Sequence, residues 1–320
     1  MLKKTLSILI LAVGACVQTT SGGPGPQQRE VAITFDDLPV ISTLKDDESL
    51  KEITDKLLAT FKQSKTPVIG FVNEIKLYPN DKLDPARVAL LKEWLVAGLE
   101  LGNHSYSHHS LNSTPLSEFE ADVLRGETLT RGLVAQRKDQ LRYFRHPFLH
   151  TGRSVETRDQ FVAFLHSHGY DIAPVTIDNS DWIFARAYDN ARDANDPAAM
   201  KQVADAYVPY MEATFAYFEN QSVKLFGRDI KQVLLLHANA INADHFKDIV
   251  AMLQKRGYRF ITLQAALSDK AYASPDTFTG PGGISWLDRW AITRKEPATF
   301  FAGEPKTPEF VMKLAGVPSE

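Results

Sequence analysis

The residues best suited to metal chemistry are two histidines separated by three positions, His104 and His108, and two adjacent aspartates, Asp36 and Asp37. A His-x-x-x-His pair places two imidazoles on one face of a helical turn. One added carboxylate makes a three-ligand set that leaves coordination positions open for water and substrate. Such an open set indicates a catalytic metal site, in which the cation acidifies a water and polarises a carbonyl. Alone the pattern is weak, because the histidines could hydrogen-bond in a loop and adjacent aspartates are common in turns.

These groups all follow apolar runs of strand-like composition, and further polar residues follow other runs of the same kind. The polar residues at these strand ends are Asp36-Asp37, His104 to His108, Arg145, Asp178, Asp181 and His237. Burying unpaired charge is costly. The clustered groups are therefore expected to pair with one another or with a metal.

The elements that must position these groups alternate along the chain from Glu30 onward. The predicted strands are 31–35, 67–72, 99–102, 141–144, 170–177, 233–236 and 258–261. The predicted helices are 50–61, 84–98, 116–134, 154–168, 196–226 and 243–255. This alternation predicts an α/β fold with a mostly parallel sheet, closed or curled into a barrel over residues 29–267. In such folds the chemistry lies at the carboxyl ends of the strands.

Two segments extend this barrel. The long helix 196–226 is predicted to be an insertion that begins at Asp196-Pro197. Pro209 is expected to kink or split it. Its apolar stripe favours packing in the core over stacking on a sugar. The irregular extension 268–320 carries Trp286 and Trp290 four residues apart on a short helix, which packs it onto the barrel. A sharper alternative is that the extension and the insertion rim a groove and stack on a sugar ring.

Five short motifs at the strand ends fall in a fixed order. They are Thr34-Phe35-Asp36-Asp37, His104-Ser105-Tyr106-Ser107-His108, Arg145-His146-Pro147-Phe148, Asp178-Asn179-Ser180-Asp181-Trp182 and Leu234-Leu235-Leu236-His237. With these motifs, residues 30–263 resemble the polysaccharide deacetylases, carbohydrate esterase family 4, with their NodB-like domain. The resemblance implies a distorted (β/α) barrel.

The resemblance also implies roles for the matching residues. Asp37, His104 and His108 are expected to bind one divalent cation, zinc in the first place, with cobalt, nickel or manganese as alternatives. Asp36 is the expected general base that deprotonates the attacking water. His237 is the expected general acid that protonates the leaving amine.

Supporting roles follow from the same resemblance. Arg145 is expected to hold the base ionised and oriented, and Asp181 to pair with the acid and raise its pKa. The backbone N–H of Phe148 is expected to stabilise the oxyanion. Trp182 and Leu235 are expected to form an apolar floor for the acetyl methyl group, although plain core packing is an equally good reading of both.

Two positions depart from the family's common pattern. Leu38 stands where the first motif commonly continues with glycine, and Leu149 stands where the third commonly ends in glycine. Neither change removes a catalytic group. Both are expected to add bulk beside the site, which leaves the substrate open.

The N-terminus has the layout of an export signal. Two lysines precede an apolar run over residues 6–17, and that run is short for a transmembrane helix. We expect a signal peptide over residues 1–15, with Cys16 as a lipidation site after a lipobox-like stretch, or else ordinary cleavage after Ala15. Residues 16–28 read as a flexible tether. The protein is therefore expected to be exported, either to the cell envelope as a lipoprotein or periplasmic protein, or to the medium.

Composition narrows the functional classes. The net charge is −3, with 36 Lys and Arg dispersed against 39 Asp and Glu, so no basic stripe for nucleic acid is expected. The first functional hypothesis is hydrolysis of N-acetyl groups on amino sugars of an acetylated glycan. The alternatives are an O-acetyl esterase on a polysaccharide, a hydrolase of a non-sugar C–N bond, and a non-catalytic glycan-binding protein of the envelope.

Overall fold

The computed structural model describes residues 28–319, so the signal peptide, Cys16 and nearly all of the tether lie outside the described residues and stay predictions. Within 28–319 the strands are β1 (Arg29–Leu38), β2 (Val68–Val72), β3 (Glu100–Asn103), β4 (Tyr143–Phe144), β5 (Asp171–Ile172), β6 (Gln232–His237) and β7 (Tyr258–Ile261). The α-helices in the same range are α1 (Asp47–Ser64), α2 (Pro85–Val96), α3 (Leu116–Arg125), α4 (Thr130–Ala135), α5 (Val155–Ser167), α6 (Asp181–Asp193), α7 (Pro197–Phe226), α8 (Ala240–Lys255), α9 (Leu263–Leu267), α10 (Trp286–Thr293) and α11 (Glu309–Ala315).

The strands form one parallel sheet in the order β5-β4-β3-β2-β1-β6, and β7 pairs with the first residues of β1. Beyond β5 the chain returns to β6 through a single parallel bridge between Ile177 and Leu234. The sheet is therefore curled into a distorted barrel with helices around it. The predicted α/β barrel is confirmed.

The centre of the barrel is an apolar core that continues through β1 and β2, whose inner residues are buried on both faces. Strands covered on both faces need near-continuous hydrophobic runs rather than alternation. On the helix side, Phe35 packs against Phe61, Trp94 and Phe246 with ring centroids 5.2, 6.1 and 5.5 Å away. This packing fixes β1 immediately before the aspartate pair.

The predicted strand 170–177 is wrong over most of its length. Only Asp171 and Ile172 pair with β4, whereas the backbone N–H groups of Thr176 and Ile177 both donate to Val233, each at 3.0 Å. The chain crosses between the two edges of the curled sheet at this point. Pro174 lies in the crossing and has no N–H to donate to a strand.

The predicted helix 116–134 is broken into α3 and α4. Gly126 follows α3 and lies directly against the backbone of Ser105 and Tyr106, where a Cβ at position 126 would overlap main-chain atoms. This close approach needs glycine. It also presses α3 onto the loop that carries the two histidines of the site.

The predicted helix 196–226 agrees with α7 at both ends. The helix α7 runs for 30 residues, with the Asp196 side chain accepting from the Ala199 N–H at 2.9 Å as its N-cap. Pro209 lies inside it without splitting it, because the apolar stripe of α7 is buried and this packing outweighs one lost hydrogen bond. The helix α6 was missed.

No helix within residues 28–319 combines the length and the apolar character that crossing a membrane requires.

Candidate active site

The polar residues of the five motifs meet at the carboxyl ends of the strands. Asp36 is the register partner of His237 on β6, and His104 and Arg145 follow the paired ends of β3 and β4. Asp181 is the first residue of α6. One side of the barrel therefore gathers groups that are up to about two hundred residues apart in sequence.

Asp37, His104 and His108 form the candidate metal site. Their ligand atoms all lie within 4.8 Å of one another. The Oδ1 atom of Asp37 is 4.0 Å from Nε2 of His104 and 3.6 Å from Nε2 of His108. Atoms that bind one zinc ion at about 2 Å lie about 3 to 4 Å apart, so these separations fit a shared cation.

The Oδ1 atom of Asp37 gives an independent test of this fit. It is buried and has no hydrogen-bond partner among the described residues. An unpaired buried carboxylate oxygen is costly and needs an explanation. A cation held by this oxygen and the two imidazoles supplies one.

Both histidines are held with Nε2 toward this oxygen. The Nδ1 atom of His104 donates to the carbonyl oxygen of Arg145 at 2.8 Å, which leaves Nε2 as the lone-pair nitrogen. Burial lowers the pKa of His104 and of His108 to about 4, so both rings are neutral at neutral pH, as ligands must be.

The histidine loop is not the helical turn that the spacing predicted. Residues 104–108 are irregular, and Ser105 and His108 have φ values of 63° and 57°. The backbone N–H of His108 donates to Oγ of Ser105 at 3.1 Å. The two rings still meet, with centroids 4.8 Å apart, because the folded loop brings them together in place of a helix face.

Asp36 is paired with a fully buried arginine. The Arg145 guanidinium donates to both oxygens of Asp36 at 3.2 Å, to the carbonyl of Ala173 at 2.7 Å, and to Oγ1 of Thr34 at 3.0 Å. Burial raises the pKa of Asp36 to about 6, although Arg145 acts in the opposite direction. The carboxyl is thus a base of near-neutral strength beside the candidate metal site.

Asp37 is paired with a lysine, Lys76, which the sequence reasoning missed. The Nζ atom of Lys76 donates to the Asp37 carbonyl at 3.1 Å and lies 3.5 Å from Oδ2. Burial alone would raise the pKa of Asp37, but Lys76 and the two histidines outweigh it and hold that pKa well below its usual range. The signal was available, since Lys76 shortly follows the predicted strand 67–72.

His237 and Asp181 form a dyad that is closed by hydrogen bonds. Nδ1 of His237 lies 2.7 Å from Oδ1 of Asp181, and the His237 backbone N–H donates to Oδ2 at 2.8 Å. The Asn242 amide donates to the same Oδ2 at 2.9 Å. Burial would lower the pKa of His237, but Asp181 overrides it and raises the pKa to about 9, so the ring is protonated at neutral pH.

A cavity of about 850 Å³ joins these groups, and Phe148, Leu149, Trp182 and Leu235 all line it. The side chain of Phe148 is 55% exposed and that of Trp182 is 43% exposed, so neither ring is buried in the core. The Phe148 ring also packs edge-on against His108, with centroids 4.4 Å apart. These side chains are therefore available to a substrate.

One of the two departures from the family pattern lies elsewhere than expected. Leu149 lines the cavity as expected. Leu38 does not, because it is fully buried in the core, against the backbone of Gly70. The prediction that Leu38 adds bulk beside the site is wrong.

The C-terminal extension reaches the cavity, although not through its tryptophans. Trp286 and Trp290 are buried, and neither is among the residues that line the cavity. The extension instead contributes Gly283 and residues 304–306. Gly283 lies so close to the carbonyl oxygen of Phe148 that a Cβ there would overlap it.

Other lining residues were also missed by the sequence reasoning. Tyr210 and Thr214 come from α7, and Ile41 from the segment after β1. None of them stands at the end of a predicted strand or in one of the five motifs, where the sequence analysis sought site residues. Asp178, a strand-end residue with no assigned role, lines the same cavity, and burial raises its pKa to about 7.

Comparisons with known proteins found a matching family model and solved structures of similar fold. Residues 23–173 match the family model described as polysaccharide deacetylase. A solved mutant of a CE4 family pseudoenzyme, whose wild type is from Bacillus anthracis, is 16% identical over 76% of this chain and 69% of its own, with a TM-score of 0.50. At that identity the likeness shows the fold alone.

Two further solved structures have lower TM-scores. The peptidoglycan deacetylase PdaC from Bacillus subtilis is 20% identical over 85% of this chain and 95% of its own, with a TM-score of 0.47. A family 4 carbohydrate esterase from Streptomyces lividans, in complex with acetate, is 20% identical over 76% and 97%, with a TM-score of 0.45.

No curated protein matches the chain. The family match spans the segment that holds the candidate metal site, Asp36, Arg145 and Phe148, and the fold continues the same barrel to β7. Over residues 23–173 the chain matches the polysaccharide deacetylase family.

Proposed function

We propose that the protein is a metal-dependent hydrolase that removes N-acetyl groups from amino sugars of a polysaccharide or oligosaccharide. One observation carries the proposal. A buried carboxylate oxygen that has no hydrogen-bond partner within residues 28–319 faces two neutral imidazoles. A base and an acid with separated pKa values stand on adjacent strands beside it. Acid and base in different environments are what amide hydrolysis needs.

Asp37, His104 and His108 would hold the cation in this proposal. They are one carboxylate and two imidazoles, a donor set suited to zinc and to cobalt, nickel or manganese, with positions left for other ligands. A divalent cation bound there supplies Lewis acidity, which polarises the acetyl carbonyl and makes water more acidic.

Asp36 would take the proton from the attacking water. Its carboxylate is oriented by two hydrogen bonds from Arg145, so it does not need to reorganise when the proton arrives. A pKa of about 6 leaves it ionised at neutral pH, and a nearby bound cation would lower that pKa further.

His237 would donate a proton to the leaving nitrogen from the other side of the cavity. Asp181 holds Nδ1, so Nε2 is the nitrogen left to face the substrate. Loss of an amine requires protonation more strictly than loss of an alcohol does. A histidine that Asp181 keeps protonated is therefore suited to an amide substrate.

The remaining proposed roles belong to Phe148, Trp182 and Leu235, which line the cavity. The backbone N–H of Phe148 would donate to the oxygen that becomes negatively charged in the transition state, a contact of the kind worth about 3 kcal/mol in other hydrolases. Trp182 and Leu235 would accept the methyl of the acetyl group. Both line the cavity, and neither introduces charge there.

Acetate release across a panel of substrates tests the proposal. Zinc-reconstituted protein is expected to release acetate from N-acetylglucosamine oligomers or peptidoglycan fragments in preference to acetylated xylan and simple amides. Preference for acetylated xylan would identify an O-acetyl esterase, and preference for simple amides a hydrolase of non-sugar C–N bonds. Glycan binding without acetate release under any of the four metals would identify a binding protein.

Asp36→Asn separates chemistry from metal binding. The amide is nearly the size of the carboxylate but cannot take up the proton, so acetate release is expected to collapse while zinc still binds. Full activity in Asp36→Asn would contradict the proposed base.

We further propose that the protein is exported and that lipidation of Cys16 anchors it to the envelope, on the sequence pattern alone. Radiolabelled palmitate is expected to enter the wild-type chain and not Cys16→Ser. Equal labelling of both, or none in either, would contradict the anchor.

A further inference from the structure

Lys76 stands beside the candidate metal site without belonging to the proposed ligand set. It lies on the short 3₁₀ turn Glu74–Leu77 that follows β2, and β2 pairs directly with β1. The turn is held from both sides. The Asn73 amide donates to the Tyr106 carbonyl of the histidine loop at 2.7 Å, and Arg87 donates to the Lys76 carbonyl at 2.8 Å. The Lys76 backbone is thereby fixed beside the site.

The two oxygens of Asp37 have different surroundings as a result. Oδ2 faces the Lys76 ammonium at 3.5 Å, while Oδ1 faces both Nε2 atoms and has no hydrogen-bond partner in the part of the chain that the structure describes. A cation shared with the histidines therefore meets one oxygen of Asp37 and not both. Lys76 occupies the side from which a two-oxygen contact would have to form.

Lys76 also offsets negative charge beside the candidate metal site. The adjacent buried carboxylates Asp36 and Asp37 each have one buried or part-buried cation, Arg145 for the first and Lys76 for the second. Without Lys76, a bound cation would meet one more uncompensated negative charge. It would be held more tightly, and less of its charge would remain to polarise a carbonyl.

We propose that Lys76 is a positioning residue for the metal site, which holds Asp37 as a one-oxygen ligand and limits the negative charge that surrounds the cation. The proposal rests on the proposed function, because it presupposes that Asp37, His104 and His108 bind a metal. Replacing a residue that merely supports the fold would weaken metal binding, whereas replacing Lys76 is expected to have the opposite effect. Removing its charge should tighten metal binding and slow catalysis.

The experiment measures zinc affinity by competition with a chromophoric chelator for wild type, Lys76→Met and Lys82→Met. Methionine keeps the unbranched stem of lysine and removes its charge. Lys82 lies on the exposed surface nearby in sequence, so Lys82→Met is the matched control. We expect the zinc Kd of Lys76→Met to fall about tenfold or more, the effect of one charge a few Å away in a medium of intermediate permittivity, with Lys82→Met unchanged.

Two further readouts accompany the affinity. The kcat of Lys76→Met is expected to fall about tenfold with little change in KM, and Lys76→Arg, which keeps the charge, is expected to restore it. The visible bands of the cobalt-substituted Lys76→Met protein are expected to weaken, since a second Asp37 oxygen raises the coordination number. If Lys76→Met does not fold, Lys76→Gln carries the same predictions.

A zinc Kd that rises or stays unchanged in Lys76→Met, while wild type binds zinc, would overturn the proposal and leave the proposed function intact. A wild-type protein that binds no divalent metal would instead overturn the proposed function. The two failures are therefore distinguishable in one titration.

Discussion

The two walls of the cavity differ in how completely their polar groups are paired. The ligand wall is formed by Asp36, Asp37, His104, His108 and Phe148, which line the cavity, with Arg145 behind Asp36. The acid wall is formed by residues 178–180, Trp182, Ile183, Leu235, His237 and residues 304–306, with Asp181 behind His237. On the ligand wall, the Asp37 Oδ1 atom is buried without a hydrogen-bond partner among the described residues. On the acid wall, both oxygens of Asp181 accept hydrogen bonds.

The two walls are therefore suited to different tasks. A wall with an orphaned carboxylate oxygen is incomplete and is suited to receiving an ion from outside. A wall whose carboxylate is fully engaged holds one side chain in one orientation and one protonation state. The family match covers the ligand wall and ends at residue 173, before the acid wall begins.

The largest effect is expected on the ligand wall. His104→Ala removes one of three ligands, so zinc binding should become undetectable and acetate release should fall to background. His109→Ala is the matched control, because His109 is the exposed neighbour of the site histidine His108. Zinc retained by His104→Ala in equilibrium dialysis, at wild-type affinity, would contradict the assignment of this wall.

A smaller effect is expected on the acid wall. His237→Ala should lower kcat on an N-acetyl substrate by about 10²- to 10⁴-fold, the usual worth of a general acid, with zinc affinity unchanged. On an activated acetyl ester, whose leaving group needs no proton, the loss should be slight. His245 forms a comparable pair with Asp248 on α8, at 3.2 Å, so His245→Ala is the control and should match wild type. Equal losses on amide and ester would contradict the role of the acid.

The pH dependence of the rate is also expected to distinguish the two walls. The rate should rise as Asp36 loses its proton, at or below pH 6 once a cation is bound, and fall as His237 loses its proton, at or below pH 9 for the same reason. Asp181→Asn removes the carboxylate that raises the His237 pKa, so the alkaline limb of kcat/KM should move to lower pH while the acidic limb stays in place. An alkaline limb that does not move would show that another group sets it.

The smallest effect on catalysis is expected at the rim, where one tryptophan lies on the acid wall and others lie in the core. Trp182→Ala should raise KM for the glycan severalfold with little change in melting temperature, because the ring is 43% exposed. Trp286→Ala should lower the free energy of unfolding by about 3 to 5 kcal/mol and leave KM unchanged. The reverse pattern would restore the view that the C-terminal tryptophans stack on sugar.

Reading the polar residues at the ends of predicted strands identified side chains that the structure brings together on both walls, because polar residues after apolar runs have few structural explanations, while their chemical roles stay predictions from the family resemblance. His104 and His108 were found in this way although their predicted helical turn is an irregular loop. Lys76 was missed only because the end of β2 was not read in this way. The same sequence predicted most of the helices, including the N-cap at Asp196.

Other contributions carry no local signal. The Asn242 amide that holds Asp181 lies inside α8 and reads as an ordinary helix residue. Gly283 and residues 304–306 reach the cavity only through the packing of the C-terminal extension. The failure over 170–177 has the same origin, since the curl of the sheet decides which edge each residue meets.

The proposed function requires that Asp37, His104 and His108 bind a cation that makes the protein a deacetylase. Its most direct test is acetate release from N-acetylglucosamine oligomers by chelator-treated protein as zinc is added back. We expect no release without metal, and a rate of release that rises in parallel with zinc binding and reaches its maximum at one equivalent of zinc. Release that persists in the absence of metal, or that remains absent when zinc is bound, would contradict it.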